Sequence, residues 1–364
     1  MKVVKIGDRL IGEGQPLFII LELGVNFKDL AEAKKLIDAG VATGADAVKF
    51  QTFHADTVAM QGAVLQDGRG DVDQHAELLS SEDRLTDDFQ AELLRYTRSK
   101  GVVTFSTPSH INDVALLNRI GGAQAFKFGS DDLTNLPLLR HTARFGKPIL
   151  ISSGVSTLAQ IDEAIRTIRS EGNEQIMLFH CVSQYPADPK DINLNTMVTL
   201  QRAFDVPVGL SDHTEGVAVA IAAAALGAKL LEKHFTLDRA VPGPDNFFSM
   251  EPGPMKTIID GIRDVEKALG VPYKEIREAE KPMVVNFHKS IFATQDIEAG
   301  APVTADKISI LRPFIGIPAK DLDVVLGMCP RRRVKKGQAL QWEDFKAPPH
   351  VSAEGKATAM SEGK

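Results

Sequence analysis

Two histidines occupy equivalent positions in consecutive strand-like segments. His213 follows the apolar segment VPVGLSD, and His234 follows LLEK. The stretch between them, VAVAIAAAALGAK, has the composition of a helix. A strand–helix–strand unit of this length favours a right-handed parallel crossover, which brings both histidines to the same end of neighbouring strands. Two imidazoles at one edge suit a divalent metal, although each histidine alone also fits an ordinary polar contact.

Other apolar segments also end in polar residues. In a parallel barrel the chemistry lies at the carboxyl ends of the strands, and side chains two positions apart share a face. Those rules place the following side chains in one mouth: Glu22, Asn26, Lys49, Gln51, Lys127, Ser152, Ser183, Ser211 and Glu232. Taken singly, the serines are also typical helix caps.

Lys49 and Lys127 stand out because they lie within apolar segments. A buried ammonium group is costly unless it is paired. One interpretation pairs the two lysines with Glu22 and Glu232. The other leaves them, with the nearby hydroxyls, for an anionic ligand that carries carboxylate or phosphate.

Two further side chains adjoin these positions. Cys181 follows His180, and since neighbours on a strand face opposite sides we expect a structural role, with Cys181 a candidate for the surroundings of a metal. Asp212 precedes His213, and we expect it to orient an imidazole.

Eight short apolar segments alternate with amphipathic ones. The segments are Leu17–Val25, Ala47–Phe53, Val102–Pro108, Ala125–Ser130, Pro148–Gly154, Ile176–Val182, Val206–Asp212 and Lys229–Phe235. Nearly continuous apolar strands are typical of strands buried on both faces. Eight strand–helix units in about 270 residues predict an α/β protein with a (β/α)8 TIM barrel. The alternative fold is a doubly wound open sheet, but the G-x-G-x-x-G motif that often follows its first strand is not present here.

Composition narrows the class of protein. The chain has 364 residues, a net charge of −6 and two cysteines. Its pI is near 5.9. Arg331–Arg333 is too short a basic run to indicate nucleic acid, and two cysteines give no disulfide framework. No apolar run has membrane-spanning length and the N-terminus lacks the apolar core of a signal peptide, so we expect a soluble, cytoplasmic protein.

The sequence also predicts domain boundaries. Residues 1–270 form the barrel, with a long glycine-containing loop over 52–86 that we expect to be a mobile flap over the mouth. Residues 271–288 form a linker with helical content, and 289–346 a small β-rich domain with an internal echo between 296–308 and 333–345. Residues 347–364 are polar, and we expect disorder there.

Several motifs resemble the sialic acid (N-acetylneuraminate) synthase family, which includes other nonulosonic acid synthases and a spore-coat polysaccharide branch. The resemblance covers about residues 15–345. It rests on ELGVN (22–26), DAVKFQTF (46–53), FSTP (105–108), AFKFGSDDLTNLPLL (125–139), HCVSQYPA (180–187), VGLSDHTEG (208–216) and LEKHFTLDRAVPGPDN (231–246). VGLSDHT and the EKHFTLDR–PGPD segment are specific when found in this order.

The resemblance implies a TIM barrel with a C-terminal SAF (antifreeze-like) domain. It implies an enzyme that condenses phosphoenolpyruvate with an open-chain acylamino sugar such as N-acetylmannosamine and releases phosphate. His213 and His234 would hold Mn²⁺ or Mg²⁺. It further implies a domain-swapped homodimer in which Arg312 reaches the partner's active site.

Individual roles follow from the same resemblance. It implies catalytic roles for Glu22, Lys49 and Lys127. Both lysines, with Ser152, Ser183 and Ser211, would bind phosphoenolpyruvate. The implied sugar-binding residues are Gln51, Asp132, Tyr185, Asp245 and Arg312. The sequence departs from the family at Phe27–Asp29, at Asp131–Asp132 and at Pro313–Ile315, which we expect to affect the sugar side.

Two alternatives stay open. A Schiff-base aldolase using Lys127 or Lys233 would form a covalent adduct with pyruvate that borohydride traps. A non-catalytic carbohydrate-binding protein would bind sugar regardless of metal and phosphoenolpyruvate. The two histidines and two lysines together favour the synthase, because a simple binding protein has no need of that combination.

Overall fold

The computed structural model describes residues 3–67, 70–82 and 84–345. The chain divides into two compact units after Gly270. The first unit begins with an antiparallel hairpin, β1 (Val4–Ile6) and β2 (Arg9–Ile11), that the sequence analysis did not predict. Val4, Ile6 and Ile11 pack in one cluster with the apolar side chains inside the barrel that follows, so the hairpin completes the barrel's core.

Eight parallel strands close into a barrel, which confirms the predicted fold class. They are β3 (Phe18–Gly24), β4 (Ala47–Thr52), β7 (Val103–Pro108), β8 (Phe126–Phe128), β9 (Ile149–Ser152), β10 (Ile176–Cys181), β11 (Val208–Asp212) and β12 (Leu230–His234). All eight lie within the predicted segments. β12 pairs with β3, and this pairing closes the barrel.

Helices cover the outside of the barrel. They are α1 (Leu30–Ala42), α4 (Asp87–Ser99), α5 (Ile111–Ile120), α6 (Leu136–Ala143), α7 (Leu158–Ser170), α8 (Pro189–Ile192), α9 (Asn195–Ala203), α10 (Ala218–Ala225) and α11 (Pro252–Leu269). Their apolar stripes face the sheet, as in α7, where Ile161, Ile165 and Ile168 are buried. Side-chain hydrogen bonds cap the N-termini of several helices, as Asp29 does for α1 and Thr157 for α7.

The segment between β4 and α4 has secondary structure, so the predicted loop over 52–86 was wrong for most of its length. It contains α2 (Ala55–Val58), a hairpin of β5 (Val64–Asp67) and β6 (Gly70–Asp73), and α3 (Gln74–Glu82). Phe53 and Leu85 pack with Val25 at its base. We call residues 53–86 the insertion. Its glycine at position 68 lies outside the described residues.

The inward side chains change character along each barrel strand. On the amino-terminal side they are apolar and fill the barrel, as Phe18, Phe105 and Phe179 do. Further along the same strands they become polar, at Glu22 four positions after Phe18 and at Thr107 two positions after Phe105, and this places a polar layer directly above an apolar plug. The barrel therefore has a packed apolar core and one end that carries polar and charged side chains.

The second unit is small. Its helical segments are the 3₁₀ turn Glu278–Glu280 and α12 (Lys281–Phe287), followed by the antiparallel pair β13 (Ser290–Ala293) and β14 (Ile308–Leu311) and the short α13 (Leu322–Val325). The two echoing segments pair with each other through reciprocal backbone hydrogen bonds between Ile297 and Val334. Each segment also contains a 3₁₀ turn, Ala305–Lys307 and Trp342–Asp344.

Within the described ranges, no helix combines the length and the apolar character that a membrane crossing requires. The predicted disorder of 347–364 concerns residues outside those ranges.

Candidate active site in the barrel mouth

Four charged side chains, one from each of four strands, form a buried network at the carboxyl end of the barrel. Lys49 Nζ lies 2.6 Å from Glu22 Oε2 and 3.7 Å from Glu232 Oε1. Lys127 Nζ lies 3.4 Å from the same Glu232 oxygen. All four residues are buried. The pairing with Glu22 and Glu232, one of the two interpretations of the lysines, is thus present in the structure.

Burial and pairing shift the pKa values of this network in different directions. Burial acts most strongly on Lys49 and favours its neutral form, but Glu22 and then Glu232 outweigh it and raise the pKa. For Lys127 burial prevails and lowers the pKa, since Glu232 attracts it while Lys49 repels it. Burial alone would raise the pKa of Glu232, but Lys127 and Lys49 hold it below its ordinary value.

Hydroxyl groups surround this network. Lys127 donates a hydrogen bond to Ser152 Oγ at 2.8 Å, and Lys49 donates to Thr107 Oγ1 at 3.1 Å. Ser211 Oγ donates to Glu232 Oε1 at 3.2 Å. We call the charged four with Thr107, Ser152 and Ser211 the inner layer. Thr107 was missed from the sequence, although the alternation rule from Phe105 places it inward.

A second set of hydroxyl groups in the mouth lies around Gly154. A Cβ at this glycine would lie 2.3 Å from Ser183 Oγ and 2.6 Å from Ser130 Oγ, and the Gly154 amide donates to Ser130 Oγ. Only a glycine leaves room for both hydroxyls. Ser183, predicted from its strand end, therefore lies beside Ser130, which the sequence analysis did not assign to the site.

The two predicted metal ligands lie side by side, with ring centroids 5.4 Å apart. His213 Nδ1 contacts the Val182 carbonyl oxygen at 2.9 Å and lies 3.9 Å from Cys181 Sγ. His234 Nδ1 is buried without a hydrogen bond among the described residues, 3.3 Å from Asp245 Oδ2. An unpartnered imidazole nitrogen next to a second imidazole offers nitrogen donors of the kind that divalent cations bind.

No group of three or more histidine, cysteine, aspartate or glutamate side chains in the described ranges could hold a metal by itself. Asp212 does not orient His213, contrary to our expectation. It accepts hydrogen bonds from Thr214 and from Lys233 Nζ at 2.8 Å. This pairing fixes the buried Lys233 outside the network.

Two predicted sugar-side residues, Gln51 and Asp245, lie beside Glu22 and the histidine pair. Gln51 donates to Glu22 Oε1 at 3.0 Å. Gly24, with a positive φ of 51°, lets Gln51, Glu22 and Asp245 approach, since a Cβ there would lie 3.3 Å from each side chain. Burial opposes ionisation of Asp245, but His234 outweighs it and lowers its pKa.

Tyr185 covers the histidine pair. Its ring centroid lies 4.2 Å from that of His213 and 5.2 Å from that of Phe248, which in turn lies 4.8 Å from His234. Phe248 was not predicted, because it follows a long irregular loop with no periodicity. We call Asp131, Tyr185, Asp245 and Phe248 the outer rim.

The other two predicted sugar-side residues make different contacts. Asp132 accepts a hydrogen bond from Asn135 Nδ2 at 2.9 Å and interacts with Asp113 of α5. Arg312 belongs to the second unit, where its Nε donates to the Phe287 carbonyl oxygen and its guanidinium lies 5.0 Å from the Phe287 ring centroid.

One of the sequence departures is structural. Phe27 is buried and stacks on Phe89 at 5.8 Å, while Asp29 caps α1. Phe27 thus serves the core and Asp29 a helix start, and an effect of this departure on the sugar side stays a prediction.

Comparisons with known proteins agree with this geometry. The chain matches the NeuB family model over residues 36–274 and the SAF domain model over residues 288–346. It is 36% identical over 345 residues to the N,N'-diacetyllegionaminic acid synthase of Legionella pneumophila, covering 92% of this chain and 96% of that protein. It is 33% identical to the human N-acetylneuraminate-9-phosphate synthase over 333 residues, 88% of this chain and 90% of that protein.

A solved structure gives the same result. The spore coat polysaccharide biosynthesis protein SpsE of Bacillus subtilis has a TM-score of 0.65 and 34% sequence identity, over 95% of this chain and 100% of that one. The family model covers well over half of the chain, and the relatives span nearly all of it. This chain therefore belongs to the NeuB family and carries a C-terminal SAF domain.

Proposed function

We propose that this chain is a synthase that condenses phosphoenolpyruvate with an open-chain 2-acylamino sugar, N-acetylmannosamine or a relative, to give a nonulosonic acid and phosphate. The observation that carries the proposal is the inner layer beside the histidine pair. It offers two buried ammonium groups and a ring of hydroxyls to an anion, at the end of the barrel where such enzymes work. The synthases among the relatives support it.

The charges of the inner layer explain why a cation would be required. Lys49 and Lys127 are balanced by Glu22 and Glu232, and Asp245 adds a negative charge nearby. A multiply charged anion such as phosphoenolpyruvate therefore needs further positive charge. A divalent ion, Mn²⁺ or Mg²⁺, held by His213 and His234 would supply that charge and Lewis acidity toward the acceptor's aldehyde oxygen.

The side chains suggest a division of labour. Lys127 and Ser152 hold one anionic group of phosphoenolpyruvate, Lys49 and Thr107 another, and Ser183 with Ser130 surrounds the phosphate. Carbon three of phosphoenolpyruvate then bonds to the aldehyde carbon, water adds to carbon two, and the carbon–oxygen bond to phosphate breaks. Glu22 faces the developing positive charge at carbon two and stabilises it.

The test is phosphate release from phosphoenolpyruvate with Mn²⁺ and a panel of 2-acylamino hexoses. We expect metal-dependent release with at least one sugar, loss of release in His213→Ala, and full release in His141→Ala, whose ring packs on Phe145 outside the mouth. Absence of release with every sugar, together with no effect of phosphoenolpyruvate on the melting temperature, would refute the proposal and favour the carbohydrate-binding alternative.

The Schiff-base aldolase is a second candidate because burial lowers the pKa of Lys127, as nucleophilic amines require. Borohydride with pyruvate separates the two reactions. A covalent adduct at Lys127 would support the aldolase, and an unmodified lysine in an enzyme that releases phosphate supports the synthase. Lys233 is a poor candidate, since it donates to Asp212 and to the Thr214 carbonyl oxygen.

We also propose the domain-swapped homodimer, with Arg312 serving the partner's mouth. The second unit exposes apolar side chains that a partner would cover, among them Tyr273, Ile276 and Phe287. Co-expression of His213→Ala with Arg312→Ala tests this arrangement. Because one complete site forms in each mixed dimer, we expect about a quarter of wild-type activity from two inactive variants. No recovery despite mixed dimers would refute the swap.

A further inference from the structure

The loop after β8 carries two adjacent carboxylates, Asp131 and Asp132, that face different parts of the molecule. Asp132, the residue that the family resemblance assigns to the sugar, accepts a hydrogen bond from Asn135 Nδ2. Burial, more than the nearby Asp131 and Asp113, raises its pKa to about 6. Asp113 is itself buried, with an Oδ1 that lacks a hydrogen bond from the described residues. Asp132 is therefore directed toward α5 and α6.

Asp131 folds back toward the mouth. Its Oδ1 lies 2.1 Å from the position that a Cβ of Gly129 would occupy, so its carboxylate lies over the end of β8, two residues beyond Lys127. Any side chain at Gly129 would displace it. Asp131 is exposed, so it keeps access to a ligand from solvent.

Tyr185 connects Asp131 to the histidine pair. Burial raises the pKa of the Tyr185 phenol, and the negative charges of Cys181, Asp245 and Asp131 raise it further. The Tyr185 ring also packs on His213. Tyr185 therefore packs on the histidine pair, where Asp245 Oδ2 lies 3.3 Å from His234 Nδ1, and the charge of Asp131 above β8 also acts on its phenol.

We propose that Asp131, not Asp132, is the carboxylate of this loop that contacts the acceptor sugar, and that the acceptor offers hydroxyl or amide hydrogens and carries no phosphate. The inference rests on the proposed synthase function. An ionised carboxylate can only accept hydrogen bonds, so it selects donors on the ligand. The carboxylates of Asp131 and Asp245 also repel a phosphorylated sugar.

The two neighbouring aspartates form a matched pair for the test. Asp131→Ala and Asp132→Ala are compared by phosphate release, with KM measured separately for the acceptor and for phosphoenolpyruvate. We expect Asp131→Ala to raise the acceptor KM about tenfold or more, as for a lost hydrogen bond to a charged group, and to leave the phosphoenolpyruvate KM unchanged. Asp132→Ala should change either KM less than about threefold, since it contacts Asn135 instead.

Asp131→Asn tests the exclusion of phosphate. The amide keeps the size of the side chain and removes its charge, so the preference for the neutral sugar over its 6-phosphate should fall about tenfold. The inference would be overturned if the acceptor KM were larger in Asp132→Ala than in Asp131→Ala. It would also be overturned if Asp131→Ala raised the phosphoenolpyruvate KM as much as the acceptor KM, or if Asp131→Asn left the preference for the neutral sugar unchanged. A preference of the wild-type enzyme for the 6-phosphate over the neutral sugar would also overturn the inference.

The outcomes separate this inference from the function on which it rests. If wild-type protein releases phosphate and Asp131→Ala keeps its acceptor KM, only the inference fails. If wild-type protein releases no phosphate with any sugar, the synthase proposal fails and the inference fails with it. Melting temperatures of the four proteins show that an effect on KM does not come from misfolding.

Discussion

The inner layer and the outer rim hold their charges in different ways. In the inner layer Glu22, Lys49, Lys127 and Glu232 are buried, and each ammonium faces a carboxylate of another strand. In the outer rim Asp131 is an exposed loop residue, and 38% of the surface of Tyr185 is exposed to solvent. Strand pairing fixes the first set, since Glu22 is the register partner of Lys49 and of His234.

This difference separates two kinds of effect. Inner-layer side chains are held by the barrel, and in the proposed synthase they would act on the reaction common to every acceptor. Rim side chains come from loops, which tolerate change, and would act on which acceptor enters. A substitution in the inner layer should therefore abolish turnover with all sugars, whereas a substitution in the rim should alter the acceptor KM.

The largest effect is expected from Lys127→Met. The change removes a cation from the anion site and leaves Glu232 with Lys49 at 3.7 Å as its remaining lysine partner. We expect kcat/KM to fall about 10³-fold with every acceptor, the scale on which a preorganised charge stabilises a transition state. Phosphate release measures it, and loss of the thermal shift with phosphoenolpyruvate should accompany it.

Lys147→Met is the control for a partly buried lysine outside the mouth, where Nζ donates to the Ala123 carbonyl oxygen. It should keep kcat/KM. A Lys127→Met enzyme that loses activity with one sugar and keeps it with another would contradict the separation of inner layer and rim.

A smaller effect is expected from Gly154→Ala. The new Cβ would displace the Ser183 and Ser130 hydroxyls, which lie 2.3 and 2.6 Å from its position. If these hydroxyls surround the phosphate, the phosphoenolpyruvate KM rises about 10- to 100-fold while the acceptor KM is unchanged. Steady-state kinetics with each substrate varied in turn measures both values.

Gly253→Ala is the matched control, since no heavy atom lies within 4 Å of its Cβ position in α11. It should behave as wild type. An equal rise in both KM values for Gly154→Ala would show that the hydroxyl pair does not belong to the phosphoenolpyruvate side alone.

The inner layer was predictable because barrel strands impose a period of two. Once Phe18, Ala47 and Leu230 are inside the barrel, Glu22, Lys49 and Glu232 must also point inward. The same rule applies to Thr107, which the sequence analysis did not select because its side chain carries no charge. The histidine pair followed from one crossover unit, as predicted.

The rim and the insertion were not predictable in the same way. Asp131 and Asp132 are adjacent on a loop, so no periodicity tells which one faces the mouth, and only the room above Gly129 decides it. The insertion owes its order to contacts between distant residues, such as Phe53 with Leu85 and Ala55 with Glu82. Local sequence cannot specify such pairs.

The smallest effect is expected in the insertion, from His54→Gln. His54 Nδ1 lies 2.9 Å from Glu82 Oε1, and Glu82 Oε2 accepts from the Ala55 amide at 2.7 Å, so the pair ties the two ends of the insertion together. The hydrogen bond to Glu82 is the main cause that raises the pKa of His54 above its ordinary 6.5, with burial opposing and Asp113 and Asp87 assisting. The amide of Ala55 and then His54 lower the pKa of Glu82.

The signs of these shifts define a pH window. A raised histidine pKa stabilises the fold fully below 6.5, and the gain is lost as pH rises through the raised value. A lowered glutamate pKa stabilises it above 4.5, and that gain is lost as pH falls through the lowered value. Wild-type protein should therefore exceed His54→Gln in melting temperature most clearly between pH 4.5 and 6.5.

The difference should be only about 1–2 °C, because the His54 side chain is about half exposed and solvent screens the pair. It should vanish in alkaline buffer, where His54 is neutral in both folded and unfolded protein. His141→Gln, on the outside of α6, should show no such pH dependence. A difference that persists at alkaline pH would mean that His54 supports the insertion through packing, in contrast to the inner layer, whose side chains are held by charge.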